Sequence, residues 1–277
     1  MLEINQIYNL NCLDGLKQLD NECIDLTFTS PPYANMKKYD VFEGIAPDKY
    51  NDWLIPIVKE LDRVIKQTGS FILNINDKVE SKFRNPFVFE LVTRICKETN
   101  FKLFERLFWN KGKYLPHPKR FGDKVEYLFW FAKSENFYFN IEEMRVPYDE
   151  KSKKRMLKPI KKRFNRTEEN QNTIEYKDWK ENPNGALPST LITIGSESHR
   201  VSDKHFACFP LKLASYFIKG ASQEGELVLD PFAGLSTVGI AAYGLNRKFI
   251  MLDISKEYCY ESQNRFHKVY NQDIAVL

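Results

Sequence analysis

The chain has 277 residues, of which 43% are hydrophobic and 28% are charged. This length and composition are typical of one large globular α/β domain, with or without a substantial insertion, and they exclude a disordered, collagen-like or coiled-coil protein. The 41 Lys and Arg residues against 37 Asp and Glu residues give a net charge of only +4. The position of the basic residues therefore says more about function than their number.

The five cysteines are scattered and form no C-x-x-C pair, which argues against a disulfide framework or a structural zinc site and favours a reducing compartment. The N-terminal residues show no secretory signal, and the longest uncharged run, residues 231–246, is too short to span a bilayer. We therefore expect a soluble cytoplasmic protein that does not bind a membrane.

Predicted strands and helices alternate on both sides of a polar, basic segment. The strand pattern covers residues 24–29, 70–76, 101–110, 126–133, 226–230 and 248–253. The helix pattern covers 51–66, with Gly69 as its stop, the stretch from Pro86 to Cys96, 211–219, 240–244 and a terminal helix from Ser255. This alternation predicts an α/β fold with a doubly wound, mostly parallel sheet, whose ligands bind beyond the carboxyl ends of the strands.

One candidate site follows the strand over 24–29, where the chain reads Ser30-Pro31-Pro32-Tyr33. Two consecutive prolines cannot continue a sheet ladder, so the chain turns, and the Ser30 hydroxyl and the Pro31 carbonyl can be held pointing into a cleft. Tyr33 offers an aromatic face beside these two acceptors. The combination suits a planar base with an exocyclic amino group, although the motif alone also fits an ordinary turn.

A second candidate site follows the strand that ends at Asp230. A tight turn of small residues comes next, in which Gly234 allows close backbone approach, and then a helix whose first amides can bind a carboxylate or phosphate. The following strand ends at Asp253, whose carboxylate can accept from both hydroxyls of a ribose. These features indicate a pocket for a nucleoside-containing cofactor. The alternative is a plain strand-to-helix turn with an N-cap acid.

The two motifs in this order resemble the β-class DNA amino-methyltransferases, the N4-cytosine and N6-adenine family of restriction-modification systems. The blocks that carry the resemblance are NLNCLDGLKQLDNECIDLTFTSPPY, ELDRVIKQTGSFILNI, EYLFWFAKS, HFACFPLKL and DPFAGLSTVGIAAYGLNRKFIMLDIS. The resemblance implies a Rossmann-like methyltransferase fold. In that fold 1–134 is the catalytic half, 135–200 an inserted target-recognition and DNA-contacting region, and 201–277 the cofactor-binding half.

The resemblance also implies S-adenosylmethionine as the cofactor and double-stranded DNA as the substrate. The catalytic residues that it implies are Ser30, Pro31, Pro32 and Tyr33. The cofactor-binding residues that it implies are Asn11, Cys12, Phe209, Pro210, Asp230, Pro231, Phe232, Ala233, Gly234, Ser236, Thr237 and Asp253. Two positions depart from the family's pattern, because Leu10-Asn11 stands where Gly-Asp is usual and Ser236 stands where the loop usually has a second glycine.

The chemistry follows from the target. An exocyclic amino nitrogen is a poor nucleophile because its lone pair is delocalised into the ring. Ser30 and the Pro31 carbonyl, by accepting its two hydrogens, favour a pyramidal nitrogen whose lone pair points at the sulfonium methyl, while Tyr33 stacks on the flipped-out base. This route requires no metal. In the family, Ser at the first motif position most often accompanies cytosine N4, so we expect N4-cytosine methylation, with N6-adenine as the alternative.

The basic segment is the predicted DNA-binding element. Nine basic residues and no acidic residue lie between positions 151 and 166: Lys151, Lys153, Lys154, Arg155, Lys158, Lys161, Lys162, Arg163 and Arg166. Such a run is typical of phosphate contacts, and its alternative is a solvated lysine-rich loop. The resemblance further allows a homodimer and a cognate restriction endonuclease as partners, for which the sequence identifies no interface.

Other functions fit parts of the sequence. A dinucleotide oxidoreductase would use the turn and Asp253, but the turn lacks G-x-G-x-x-G and Ser30-Pro31-Pro32-Tyr33 would have no role. A non-catalytic DNA-binding protein on a methyltransferase scaffold would account for the basic segment but not for an intact catalytic motif. Methylation of RNA or of a protein amide is a lesser alternative.

Overall fold

The computed structural model describes residues 2–34, 44–80, 82–112, 114, 116–156, 181–195 and 209–277. The strands in these ranges are β1 (Gln6–Asn9), β2 (Ile24–Thr29), β3 (Ile65–Ile75), β4 (Lys78–Glu80), β5 (Phe83–Asn85), β6 (Lys102–Asn110), β7 (Val125–Ala132), β8 (Leu191–Thr193), β9 (Leu227–Asp230) and β10 (Lys248–Asp253). The helices are α1 (Cys12–Leu16), α2 (Pro47–Val64), α3 (Phe87–Glu98), α4 (Glu150–Met156), α5 (Leu211–Ala221), α6 (Thr237–Gly244) and α7 (Lys256–Tyr270).

Eight of the described strands form one sheet in the order β1-β10-β9-β2-β3-β7-β6-β8. The first five are parallel, whereas β7 runs antiparallel to both β3 and β6. The predicted α/β fold with a mostly parallel sheet is thus confirmed. The chain proceeds outward from β2 to β3 on one side and from β9 to β10 on the other, so the topological switch point lies between β2 and β9.

Two apolar layers cover the faces of the sheet, and β7 contributes to both. Phe129 and Phe131 pack into the layer beneath α2 and α3, whereas Leu128 and Trp130 pack into the layer beneath α5 and α6. This alternation follows from the two-residue period of a strand, and a strand that is buried on both faces must be apolar at successive positions. Among the described helices, none combines the length with the apolar character that crossing a membrane requires.

The boundary between α2 and β3 differs from the prediction. The helix ends at Val64, and Gly69 lies inside β3 rather than at a helix stop. A Cβ atom on Gly69 would lie 2.7 Å from the Asp25 carbonyl oxygen, so the close approach of β2 requires glycine here. Gly69 therefore permits the pairing of β3 with β2. The register between these two strands shifts near the same point, between Ile24 and Leu26.

Six short elements, β1, β4, β5, β8, α1 and α4, had no counterpart among the predicted elements. β8 falls within 135–200 and pairs with β6 at the edge of the main sheet. Next to it, the indole of Trp109 donates to the Ile194 carbonyl at 2.7 Å. This part of the segment therefore packs against the main sheet, and the division of the chain at 135 and 200 stays a prediction.

Candidate active site

The ends of β2 and β9 bring the two candidate motifs together. Thr29 is the last residue of β2 and Asp230 the last residue of β9, and the Thr29 hydroxyl donates to Asp230 Oδ1 at 2.5 Å. Both side chains are buried. Because Ser30 and Pro231 follow directly, both motifs begin side by side at the carboxyl edge of the sheet, where parallel sheets bind their ligands.

The Ser30–Tyr33 turn is held by side chains from three other elements. The Tyr50 hydroxyl on α2 donates to the Pro32 carbonyl at 2.8 Å. The Tyr33 hydroxyl donates to Glu126 Oε2 on β7 at 2.7 Å and lies 3.3 Å from Asn74 Oδ1 on β3. The turn is thus fixed from both sides, and the Tyr33 ring, which was predicted to stack on a base, is partly buried against the core.

Burial raises the pKa of Tyr33 well above its usual value, and the charge of Glu126 raises that pKa further. Its hydroxyl therefore stays protonated and available as a donor. Sequence reasoning missed Glu126 and Asn74, which are not part of either motif. The available signal was that each is a polar residue in an otherwise apolar stretch, FILNI in β3 for Asn74 and VEYLFWFA in β7 for Glu126.

The two predicted cofactor-site carboxylates shape the glycine turn. Asp230 Oδ1 accepts from the Phe232 amide at 3.0 Å in addition to Thr29. Asp253 Oδ2 accepts from the Gly234 amide at 2.7 Å, and its Oδ1 accepts from the Ser255 amide at 2.8 Å. Asp253 therefore connects the turn after β9 to the end of β10, which is the neighbouring strand.

Burial also changes the protonation of both carboxylates. It raises the pKa of Asp230 to about 7 and that of Asp253 to about 6, against the opposing effect of the hydrogen bonds that each accepts. Asp230 is only 3% exposed. Near neutral pH the site thus holds two carboxylates that titrate in the range where most aspartates are fully ionised.

The turn itself has two residues in the left-handed region. Gly234 has φ 52°, a conformation that glycine adopts without steric cost, and Ser236 also has φ 52°. Ser236 thus takes up the conformation that glycine at the same position would adopt without strain. Its hydroxyl is buried and has no hydrogen-bond partner among the residues that the structure describes.

The remaining predicted cofactor residues lie around the same edge. Asn11 caps α1 by accepting from the Leu13 amide at 3.0 Å, and Cys12 is buried behind it. Burial raises the pKa of Cys12 to about 11, and the nearby carboxylate of Asp253 adds to this shift.

Trp53 of α2, the residues just before α5 and the start of α6 complete this edge. Phe209 stacks on Phe28 of β2 with 4.8 Å between ring centroids, and Phe232 packs against Trp53 of α2 at 5.6 Å. The other predicted residues in this group are Pro210, which is the N-cap of α5, Pro231 and Ala233, which are buried in the turn, and Thr237, which begins α6. The predicted cofactor residues thus converge on one edge of the sheet.

The predicted DNA-binding residues are described only in part. Lys151, Lys153, Lys154 and Arg155 lie on α4 and are exposed, and Lys153 pairs with Glu150 at 3.1 Å. The other five, Lys158, Lys161, Lys162, Arg163 and Arg166, lie outside the described residues.

The two motifs thus lie together at the switch point of an α/β sheet, which is where such sheets bind nucleoside-containing ligands. The family model N6_N4_Mtase, described as DNA methylase, matches residues 24–264. The chain therefore belongs to this family of DNA amino-methyltransferases of the restriction-modification type.

The sequences of individual relatives align with most of the chain. Type II methyltransferase M.PvuII of Proteus hauseri is 29% identical over 280 residues, which cover 94% of this chain and 83% of that protein. DNA adenine methyltransferase YhdJ of Escherichia coli (strain K12) is 26% identical over 267 residues, which cover 92% of this chain and 80% of that protein.

Solved structures show the same fold. The PvuII DNA methyltransferase, named cytosine-N4-specific, superimposes with a TM-score of 0.71 at 24% identity, covering 96% of this chain and 86% of that one. A complex of M1.HpyAVI with S-adenosylmethionine gives a TM-score of 0.60 at 19% identity, covering 94% and 98%.

Family membership confirms the predicted class and the Rossmann-like methyltransferase fold. The family is dependent on S-adenosylmethionine, so the predicted cofactor is confirmed as well, and the oxidoreductase alternative is excluded. The relatives include one enzyme named for cytosine N4 and one named for adenine. The target atom therefore has to be argued from the site.

Proposed function

We propose that the protein transfers the methyl group of S-adenosylmethionine to N4 of a flipped-out cytosine in double-stranded DNA. The observation that carries the proposal is the Thr29–Asp230 hydrogen bond, which sets Ser30 beside the turn expected to hold the cofactor. Serine at the first motif position favours cytosine over adenine by family analogy. Methylation of adenine N6 is the second candidate, and the relationship to YhdJ favours it.

Some of the site residues have side chains that ligands can reach, whereas others hold the turn in shape or contribute only backbone groups. In this proposal Ser30 and the Pro31 carbonyl accept the hydrogens of the target amino group, and Tyr33 lines the base pocket. Asp253 is only partly buried, and each of its oxygens has a second acceptor direction available for a ribose hydroxyl. Asp230 is too deeply buried for the same role, so it holds the turn in shape.

The same division applies to the glycine turn. Because the Ser236 side chain is buried, Ser236 contributes to the cofactor pocket through its backbone, as does Gly234. The start of α6 at Thr237 directs its first amides toward the turn, which suits the carboxylate of the methionine moiety. Alignment of the methyl group with the amino nitrogen then supplies the rate.

The experiment is nucleoside mass spectrometry of unmethylated bacterial DNA after incubation with the protein and S-adenosylmethionine carrying a labelled methyl group. We expect labelled N4-methylcytosine, and its loss in Ser30→Ala with cofactor affinity retained. If labelled N6-methyladenine forms instead, the target is adenine N6 and the proposed mechanism still applies. Cofactor binding with no labelled base on DNA of varied sequence would support the non-catalytic alternative.

A further inference from the structure

Hydrogen bonds lead from Ser30 to a carboxylate on a strand that neither motif includes. The Ser30 hydroxyl lies 3.4 Å from the Tyr33 hydroxyl, which in turn lies 2.7 Å from Glu126 Oε2. Glu126 is on β7, and its side chain is only 13% exposed. A single phenol therefore separates Ser30 from a largely buried carboxylate.

The other partners of Glu126 fix the direction of these hydrogen bonds. Lys111 Nζ donates to Oε1 at 3.0 Å, and Asn74 Nδ2 lies 3.3 Å from Oε2. An ammonium group can only donate and an ionised carboxylate can only accept, so the Tyr33 hydroxyl must donate its proton to Glu126. Asn74 Oδ1, at 3.3 Å from the same hydroxyl, is the longer and uncharged competitor.

This direction determines what Ser30 presents to a ligand. Because the Tyr33 proton is used on Glu126, the Tyr33 oxygen accepts from the Ser30 hydroxyl. Because the Ser30 hydroxyl donates its proton to Tyr33, Ser30 can act toward a ligand only as a hydrogen-bond acceptor. That polarity suits the N–H of an exocyclic amino group, whereas a carbonyl oxygen at the same place would face lone pairs and be rejected.

We propose that Glu126 is a positioning residue that, through Tyr33, keeps Ser30 a hydrogen-bond acceptor toward the target amino group. The inference rests on the proposed function, because it concerns how that same site selects an amino group over a carbonyl. It assigns a role to a residue outside both motifs.

Glu126→Gln tests the proposal with little change of shape. The glutamine amide can donate to Tyr33, which allows the hydrogen bonds to run in the opposite direction. We expect kcat for methylation to fall about 10- to 100-fold, as for loss of one charged hydrogen bond, with the Kd for S-adenosylmethionine unchanged. Wild-type kcat in this variant would overturn the proposal.

A double variant separates positioning from mere packing. If Glu126 acts through Tyr33, then Glu126→Gln combined with Tyr33→Phe is no slower than Tyr33→Phe alone. Independent, multiplying losses would show that Glu126 does not act through Tyr33 and would contradict the inference.

Base selectivity gives a readout that does not depend on turnover. The probes are DNA duplexes that contain the sequence that the protein methylates. Their target position holds either cytosine or uracil, or either adenine or hypoxanthine if adenine is the target. The measured quantity is the ratio of the Kd for the carbonyl duplex to the Kd for the amino duplex. We expect this ratio to be about 10-fold larger for the wild type than for Glu126→Gln. Differences in base pairing between the duplexes affect both proteins equally and therefore cancel. An unchanged ratio would refute the role of Glu126. A wild type that methylates no DNA would instead refute the proposed function.

Discussion

Thr29 and Asp230 lie 201 residues apart in sequence, yet their side chains share a buried hydrogen bond of 2.5 Å. The bond extends the pairing of β2 with β9, whose backbone register covers only Leu26 with Val228 and Thr27 with Leu229. It therefore holds the two strand ends together at the point where the backbone ladder stops and the site begins.

Removing the donor should destabilise the fold. In Thr29→Val the buried Asp230 loses its side-chain partner while the volume at position 29 hardly changes. We expect the free energy of unfolding, measured by urea denaturation, to fall by about 1–3 kcal/mol. The matched control is Thr27→Val, two residues earlier on β2, because the buried Thr27 hydroxyl has no partner in the described part of the chain. That variant should be neutral or slightly more stable, and equal losses in both would contradict the role of the bond.

Asp230 should make the protein less stable as the pH rises. Its folded pKa of about 7 lies above the usual value of 3.8, so the folded state binds the proton more tightly than the unfolded state does. The resulting stabilisation is fully present below the unfolded pKa and is lost as the pH rises through about 7. Asp230→Asn should flatten the decrease in unfolding free energy between about pH 5 and about pH 8 by a few kcal/mol at most. Urea titrations at both pH values measure it.

Asp253→Asn is the informative contrast to that substitution. Thr29 and Phe232 both donate to Oδ1 of Asp230, so an asparagine there can keep both hydrogen bonds. Gly234 and Ser255 donate to different oxygens of Asp253, so an asparagine at 253 must lose one of them. We therefore expect Asp253→Asn to weaken S-adenosylmethionine binding about 10-fold by calorimetry, as for the loss of one hydrogen bond. Unchanged affinity would show that the hydrogen bonds from the Gly234 and Ser255 amides to Asp253 do not shape the pocket.

Ser236→Gly should raise stability. The substitution removes a non-glycine residue from the left-handed region and a buried hydroxyl without a described partner. We expect a gain of about 1–2 kcal/mol in unfolding free energy. Asn246→Gly is the control, since Asn246 has φ 60° at an exposed position and asparagine tolerates that conformation. A gain at 246 as large as at 236 would mean that neither the buried hydroxyl nor the residue type matters.

The exposed lysines of α4 should contribute to DNA binding by pairing with backbone phosphates. We expect Lys151→Gln with Lys154→Gln to reduce the slope of log K against log salt concentration by about 1 for each lysine–phosphate pair that the substitutions remove, with little effect on sequence preference. Lys102→Gln with Lys248→Gln is the control with the same charge change, because both lysines lie at the amino ends of their strands, away from the site. Equal slopes in both double variants would remove α4 from the interface.

The strand-turn motifs were predictable because their chemistry is local. Two prolines stop a strand wherever it lies, and a glycine between a strand and a helix indicates a turn without knowledge of the neighbours. The contacts of Asp230 and Glu126 were not predictable in this way. Cofactor binding by Asp230 stays a prediction, whereas its buried hydrogen bond to Thr29 joins residues that are far apart in sequence. Glu126 reaches Tyr33 because β7 joins the sheet antiparallel to β3, a register that no local pattern encodes.

The adjacency of β2 and β9 also determines when the site forms. β2 leaves the ribosome long before β9, so the pairing of these two strands closes a long loop of the chain. Contacts of such high sequence separation form slowly. A nascent chain that has already folded α2, β3 and α3 therefore still lacks β9 and the turn after it, and the two motifs come together only when the sheet is completed.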